Sequence, residues 1–245
     1  MSNTQPIHRL GVIGDIHAEC DRLDAVLDWL AGQQLDASVC TGDIADGKGC
    51  MNRCCDLLKQ AAVATVAGNH DRWLLQDRVR HLVDAHQLDD LLPATQDYLR
   101  ELPKTRELQT VSGSLLLCHG VGDNDLGKVW PGTVRTQAER SAELDKIIGS
   151  GEFNYLVNGH LHYRVLIDFT DLLLINAGTL RGEFPGVSII DFDEGWVAAY
   201  ELDLDAGEQR IKKVAEYSTD DRSGRRIWEN TQAFDAQWTP STLYA

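Results

Sequence analysis

The chain has 245 residues, a formal net charge of -15 at pH 7 and a pI of about 4.8. This length allows a substantial core, either as one large α/β domain or as two small ones. The negative field repels polyanions, which argues against broad binding to nucleic acids or anionic membranes, while a local positive centre would still accept a small phosphorylated substrate.

The first segment, Met1–Leu10, has no apolar run typical of a signal peptide, and no apolar run in the chain is long enough to span a bilayer. The cluster formed by Cys50, Cys54 and Cys55 lacks the two separated pairs of a zinc knuckle. We therefore expect reduced thiols in a cytoplasmic protein. The alternative is a redox-sensitive or adventitious metal site on a helix face.

The first predicted strand, Arg9–Gly14, leads into Asp15-Ile16-His17. On extended backbone, alternation places the Asp15 carboxylate and the His17 imidazole on the same side. A helix is predicted over Glu19–Ala31, because its leucines and Val26 recur at helical spacing.

A second short strand is predicted over Ser38–Thr41, ending in a glycine and Asp43, and a helix follows over about Cys50–Ala61. Asp43 lies where the strand stops, as a metal ligand would, although an aspartate that caps a helix or turn fits the same position. We interpret Asp46 as a solvated loop residue.

The third strand, Val63–Ala67, is followed by Gly68 and three polar residues. Asn69 has a carbonyl oxygen to offer a metal, and His70 can exchange a proton near neutral pH. Asp71 is predicted to orient the His70 imidazole or to cap the next helix. An ordinary strand-to-helix turn is the alternative. Three consecutive strand–helix units predict a largely parallel sheet with these polar residues at one edge.

Residues 72–107 are predicted to be mainly helical, and His81 and His86 are interpreted as surface histidines. A hairpin is predicted over residues 108–118, with His119 directly after its second strand.

A strand predicted over Phe153–Val157 ends in Asn158-Gly159-His160-Leu161-His162. The two histidines would face the same side of an extended chain, so both are candidate metal ligands.

The remaining chain predicts hairpins over residues 165–176 and 187–202. The tail is expected either to pack on the domain through Trp228, Phe234 and Trp238 or to mediate self-association into a homo-oligomer. We expect one domain over residues 1–245, with a core over about 8–204 and a C-terminal extension over about 205–245.

The strand-end residues form a set of nitrogen and oxygen ligands without thiolate. This chemistry suits Mn, Fe, Zn, Co or Ni better than calcium. Seven ligands are too many for one catalytic metal with an open position, so we predict two divalent ions that share the Asp43 carboxylate. The seven residues are Asp15, His17, Asp43, Asn69, His119, His160 and His162.

Two divalent ions would leave this centre net positive inside an acidic protein, and would attract a phosphate oxygen. Metals about 3.5–4 Å apart can hold a hydroxide for in-line attack on phosphorus. His70 would then protonate the leaving oxygen, with Asp71 holding the imidazole.

The ordered series that contains these residues resembles the calcineurin-like metallophosphoesterase superfamily over roughly Leu10–Tyr200. The series is Asp15-x-His17, Gly42-Asp43, Gly68-Asn69-His70-Asp71, His119 and Gly159-His160-x-His162. The resemblance implies an α/β fold, a four-layer α-β-β-α sandwich with two mixed sheets, and a dinuclear site at the sheet edges.

The resemblance also implies how the ligands divide and which residue is catalytic, with His70 in the catalytic role. One metal would be held by Asp15, His17, Asp43 and His162. The other would be held by Asp43, Asn69, His119 and His160.

Small bacterial phosphodiesterase-type members are the more similar subgroup, through Tyr98–Pro103 and the turn Asn176–Thr179. The chain departs from their pattern at Ala177, Thr179 and Val121, which leaves the substrate subgroup open.

The expected function is hydrolysis of a phosphodiester or phosphomonoester. The alternatives are a dinucleoside polyphosphate hydrolase and a non-catalytic scaffold on the same fold. Arg72 and Arg181 are candidate phosphate contacts, with a surface salt bridge as the alternative for each.

Overall fold

The computed structural model describes residues 5–78, 83–129, 141–205, 210–220 and 226–227. The predictions for His81 and for the tail residues Trp228, Phe234 and Trp238 lie outside these ranges. Within them, no helix combines the length and apolar character needed to cross a bilayer.

Two six-stranded sheets form the centre of the described fold. Their orders are β11-β10-β9-β1-β2-β3 and β12-β7-β8-β6-β5-β4, where the strands are β1 (Arg9–Ile13), β2 (Ala37–Cys40), β3 (Ala64–Thr65), β4 (Thr105–Thr110), β5 (Gly113–Cys118), β6 (Tyr155–Asn158), β7 (Arg164–Asp168), β8 (Leu173–Ala177), β9 (Gly186–Asp191), β10 (Trp196–Leu202), β11 (Ile211–Ser218) and β12 (Arg226–Ile227).

Five α-helices and one 3₁₀ turn lie between these strands in the described ranges. They are α1 (Cys20–Ala31), α2 (Met51–Gln60), α3 (Asn69–Leu75), the 3₁₀ turn Leu88–Asp90, α4 (Pro93–Glu101) and α5 (Ala142–Ser150). The ends of α5 show why it forms there: Ser141 accepts a hydrogen bond from the amide of Leu144, and Gly151 ends the helix at φ +66°.

The predicted strand–helix units and hairpins are confirmed. Strands β1, β2 and β3 pair in parallel, and the hairpins β4–β5, β7–β8 and β9–β10 pair antiparallel. Both sheets are therefore mixed. The third strand is shorter than predicted, because only Ala64 and Thr65 pair with β2.

Apolar side chains alternate along the strands and divide the core into three layers. On β1, Leu10 and Val12 face the second sheet, whereas Ile13 packs toward the helices. Helices α1, α2 and α4 cover the first sheet, and α5 covers the second through Leu144. The predicted four-layer sandwich is confirmed.

The two sheets meet at the ends of β1, β2 and β6, where two glycines allow very close approach. A methyl group at Gly14 would overlap the carbonyl of Gly178, and one at Gly159 would overlap the Asp15 carboxylate. Asp15 also donates its backbone N–H to Gly178 O at 3.1 Å. This contact brings the polar strand ends of both sheets into one pocket.

Candidate metal centre

Four predicted ligands form the first cluster, and each offers one ligand atom within 4.8 Å of the others: Asp15, His17, Asp43 and His162. The Nε2 atoms of His17 and His162 are 2.9 Å apart, and His162 Nε2 lies 3.2 Å from Asp15 Oδ2. Asp43 Oδ2 lies 4.0 Å from His17 Nε2.

The second cluster joins Asp43 to His119 and His160, again within 4.8 Å. His119 Nε2 lies 3.3 Å from Asp43 Oδ2. One terminal atom of the Asn69 amide lies 3.0 Å from His119 Nε2 and 2.8 Å from His160 Nδ1. The structure thus brings all seven predicted ligands together, and Asp43 belongs to both clusters.

The ring orientations of His17 and His119 suit the binding of a cation. His17 Nδ1 lies 2.9 Å from Ala45 O, and His119 Nδ1 lies 2.8 Å from Thr41 O. Because a carbonyl only accepts, each Nδ1 carries a proton and each Nε2 faces the pocket, where it offers a lone pair to a cation once any proton on it has left. For His17 and His162, nitrogens 2.9 Å apart need a proton or a cation between them.

The charges of the pocket also favour a cation. Burial disfavours the charged form of His119, yet the carboxylates of Asp43 and Asp15 outweigh it and raise the pKa of His119 to about 10. Burial alone would raise the pKa of Asp43, but His119, His70 and His17 hold it well below its ordinary value. Both shifts show that the carboxylates stabilise positive charge here, and the nitrogen–oxygen donor set suits a borderline divalent metal.

Five residues that line the pocket have backbone in the left-handed region, with positive φ angles. The φ angles are +48° at His17, +46° at Asp43, +66° at Asp46, +69° at His160 and +60° at His162. The sequence pattern predicts that Asp15 and His17, and likewise His160 and His162, share a side because the chain is extended there. That geometry is wrong, since His17, His160 and His162 have positive φ angles, although the side chains do converge. Each such non-glycine residue costs about 1–2 kcal/mol, a strain typical of functional sites.

His70 lies at the edge of the first cluster. Its ring contacts that of His17, with the two ring centres 5.0 Å apart. Its Nε2 atom lies 3.9 Å from Asp43 Oδ2, so this nitrogen faces the ligands. Its Nδ1 atom lies 2.6 Å from Asp46 Oδ2. Asp46 therefore orients the imidazole, and its interpretation as a solvated loop residue is wrong.

The prediction that Asp71 orients His70 is corrected by the same geometry. The Asp71 carboxylate accepts hydrogen bonds from the backbone N–H groups of Ile44 and Ala45 at 2.9 and 3.0 Å and of Gly68 at 2.9 Å. Burial and the Asp43 charge raise the pKa of Asp71 to about 6. Asp71 therefore holds the two ligand loops together and starts helix α3.

The interpretation of His86 as an ordinary surface histidine is also wrong. It is half-buried and hydrogen-bonds Asp46 through both its backbone and its ring. A sequence signal existed for Asp46 alone: it follows Asp43 by three residues in one strand-end loop. His86 is 40 residues away from Asp46, and no local pattern connects them.

Both arginines that were candidate phosphate contacts are paired with carboxylates. Arg72 binds Asp125 through two hydrogen bonds of 2.5 and 2.9 Å. Arg181 binds Asp84 at 2.9 Å. The structure thus supports the salt-bridge alternative for each.

The clustered cysteines Cys50, Cys54 and Cys55 belong to the start of helix α2 and its first turns. Cys54 and Cys55 are buried on α2, and Cys50 is exposed. Burial, the largest cause, raises the pKa of Cys54 and Cys55 far above the ordinary range. Among the described residues, neither group of metal-capable side chains contains a cysteine.

A family model provides the broadest comparison. The model of the calcineurin-like phosphoesterase superfamily domain matches residues 9–195, which is most of the chain and includes every predicted ligand.

The comparison with curated proteins gives a short match. The chain is 33% identical over 66 residues to the uncharacterized protein MJ0912 of Methanocaldococcus jannaschii, covering 27% of the chain and 27% of that protein. The chain thus matches about a quarter of this relative's length.

Solved structures share the fold at low identity. Protein PH1004 of Pyrococcus horikoshii matches with a TM-score of 0.68 at 14% identity, over 81% of this chain and 89% of that one. A metallophosphoesterase of Sphaerobacter thermophilus matches with a TM-score of 0.62 at 18% identity, over 80% of this chain and 88% of that one. An archaeal phosphodiesterase matches with a TM-score of 0.52 at 15% identity, over 79% of this chain and 99% of that one.

Proposed function

Since the chain belongs to the calcineurin-like phosphoesterase superfamily, we propose that it is a phosphoesterase that uses two divalent metal ions. Its substrate would be a small phosphodiester or phosphomonoester, cleaved to an alcohol and a phosphate product. Manganese, iron, zinc, nickel and cobalt all suit the donor set.

The observation that carries this proposal is the position of Asp43 in both ligand clusters. Asp43 Oδ2 faces both clusters, at 4.0 Å from His17 Nε2 and 3.3 Å from His119 Nε2. Asp43 Oδ1 accepts a hydrogen bond from the His70 backbone N–H at 2.8 Å, which fixes the carboxylate in this orientation. One ion would be held by Asp15, His17, Asp43 and His162. The other would be held by Asp43, Asn69, His119 and His160.

When bound, the ions would supply an activated water molecule and neutralise negative charge on the phosphoryl oxygens. The chain's own residues determine where this happens. The carbonyls of Ala45 and Thr41 keep the His17 and His119 rings oriented, which preserves the ligand geometry before substrate arrives.

His70 would act on the leaving group. With Nδ1 held by Asp46 at 2.6 Å, the proton on Nε2 is directed toward the ligand pocket. As the bond between phosphorus and the leaving oxygen breaks, that oxygen takes the Nε2 proton and departs as an alcohol. The proton lost by the attacking water restores the ring, so protons balance over one turnover.

The test is hydrolysis of bis(4-nitrophenyl) phosphate and 4-nitrophenyl phosphate by protein stripped of metal and then supplied with Mn²⁺ or another divalent ion. We expect turnover only with added metal. We also expect His70→Asn to lower kcat by about 10²–10⁴-fold for an alkyl phosphate ester, whose departing alkoxide needs a proton, while both ions remain bound.

Three results would contradict the proposal or change its substrate class. Unchanged turnover in excess chelator would exclude metal chemistry. No turnover on a panel of phosphate esters, cyclic nucleotides and dinucleoside polyphosphates, with both ions bound, would favour a non-catalytic scaffold. Turnover of the dinucleoside polyphosphates alone would replace ester hydrolysis by phosphoanhydride hydrolysis.

A further inference from the structure

Asp46 and His86 bind each other through two hydrogen bonds. The backbone N–H of His86 donates to Asp46 Oδ1 at 3.1 Å, and the backbone N–H of Asp46 donates to His86 Nδ1 at 3.0 Å. The second Asp46 oxygen, Oδ2, is then the one that meets His70 Nδ1. The carboxylate is thus fixed from both sides.

The two segments that carry this pair share a further anchor. The carbonyl of Asp46 lies 3.1 Å from His17 Nδ1 and accepts from Arg181 Nη1 at 3.3 Å. Arg181 also binds Asp84, two residues before His86. Arg181 therefore connects the Asp46 loop to the chain around His86.

We propose that His86 is a positioning residue for the leaving-group acid. Its ring fixes the backbone N–H of Asp46, which keeps the Asp46 carboxylate on the His86 backbone N–H and in the orientation that directs the His70 Nε2 proton to the departing oxygen. This inference rests on the proposed phosphoesterase function. The hydrogen bonds that the described residues give His86 both go to Asp46, so His86 acts through Asp46.

The geometry determines the ring tautomer of His86. Its Nδ1 accepts a hydrogen bond from a backbone N–H, so the neutral ring carries its proton on Nε2. An asparagine at position 86 places a carbonyl oxygen near the position of Nδ1 and can accept the same bond. An alanine cannot. His86→Asn is therefore the conservative variant that should rescue the function.

A positioning role predicts selectivity by leaving group. A departing 4-nitrophenolate is stable without a proton, whereas an alkoxide requires one in the transition state. We expect His86→Ala to lower kcat about tenfold or more for a methyl or alkyl phosphate ester, in the range seen when a supporting partner is removed. The same variant should change kcat for bis(4-nitrophenyl) phosphate less than about threefold, with KM unchanged for both.

The experiment compares the metal-loaded wild-type protein with His86→Ala, His86→Asn and a control, His8→Ala. His8 pairs with Asp193 on the surface at the start of β1, away from the ligand clusters. His86→Asn and His8→Ala should behave as wild type with both substrates. Equal losses on both substrates, or no loss on either, would overturn the positioning role.

Nitrogen NMR of the histidine side chains separates this inference from the proposed function, because it needs no turnover. In the Zn²⁺-loaded protein, the His86 signals should show an unprotonated Nδ1 and a protonated Nε2. A protonated Nδ1 would overturn the inference even if the protein hydrolyses esters. Conversely, wild-type protein that binds two ions but hydrolyses no ester would defeat the proposed function, whatever the His86 tautomer.

Discussion

At the scale of single residues, the buried aspartates Asp46 and Asp71 near His70 have different roles. Asp46 contacts the His70 ring, whereas Asp71 contacts only backbone amides among its described hydrogen bonds. A carboxylate that holds an imidazole affects proton transfer. One that satisfies backbone N–H groups of two loops affects folding, because those buried donors would otherwise be unpaired.

The two aspartates therefore make opposite predictions. Asp46→Asn should lower kcat about tenfold or more for alkyl esters with little change in stability, since the amide oxygen still accepts from the His86 N–H and only the bond to His70 is weakened. Asp71→Asn should destabilise the fold by about 1–3 kcal/mol and leave kcat of the folded fraction within about threefold. Urea denaturation and steady-state kinetics of both variants provide the check. Reversed effects would restore Asp71 as the partner of His70.

At the scale of elements, the strand ends deliver the ligands because the two sheets come close at one edge, where a glycine of one sheet faces side chains of the other. Gly159 follows β6 and packs against Asp15 and Thr41, which lie after β1 and β2. The contact is too close for any Cβ. The backbone spacing of the metal centre thus depends on a hydrogen atom at this position.

We therefore expect Gly159→Ala to separate the strand ends, lower stability by about 1–3 kcal/mol and weaken metal binding. Gly149 in α5 is a matched control, because a Cβ there meets no atom within 4 Å. Gly149→Ala should stabilise the helix by about 0.5–1 kcal/mol without affecting the metals. Thermal unfolding and metal titration of both variants test this; full metal affinity in Gly159→Ala would contradict it.

Much of this element-level design was predictable from sequence. Apolar runs that end in glycine and a polar residue locate the strand ends, and parallel topology brings them to one edge. The left-handed turns at His17 and His160 were not predictable, because tertiary contacts impose them against local preference. The Asp46–His86 pair was not predictable either, because its hydrogen bonds join residues 40 positions apart and no local pattern connects them.

At the scale of the whole molecule, the buried carboxylates of the ligand pocket require positive charge nearby. The formal net charge is -15, yet Asp15 and Asp43 are fully buried in the pocket. Without metal, a proton on His119 meets part of that demand. Metal binding must displace this proton, so stability, pH and metal content are linked.

This linkage predicts how the metal-free protein responds to pH. The pKa of His119 rises from 6.5 to about 10 on folding, so its stabilisation is complete below about pH 6.5 and declines as pH rises toward 10. Thermal unfolding at about pH 6.5 and 8.5 should show falling stability over this interval, below the ordinary pKa of the buried thiols. His119→Gln should remove the decline, and added Mn²⁺ should reverse it in the wild type. Stability that rises over the interval would contradict the assignment.

The central claim is that one carboxylate serves two cations, and metal content tests it most directly. Wild-type protein and Asp43→Asn, each loaded with Mn²⁺ and passed over a desalting column, are compared by elemental analysis. We predict about two ions per wild-type chain and substantially less than one in Asp43→Asn, because both sites lose a ligand. One or two tightly held ions in Asp43→Asn would contradict the shared bridge.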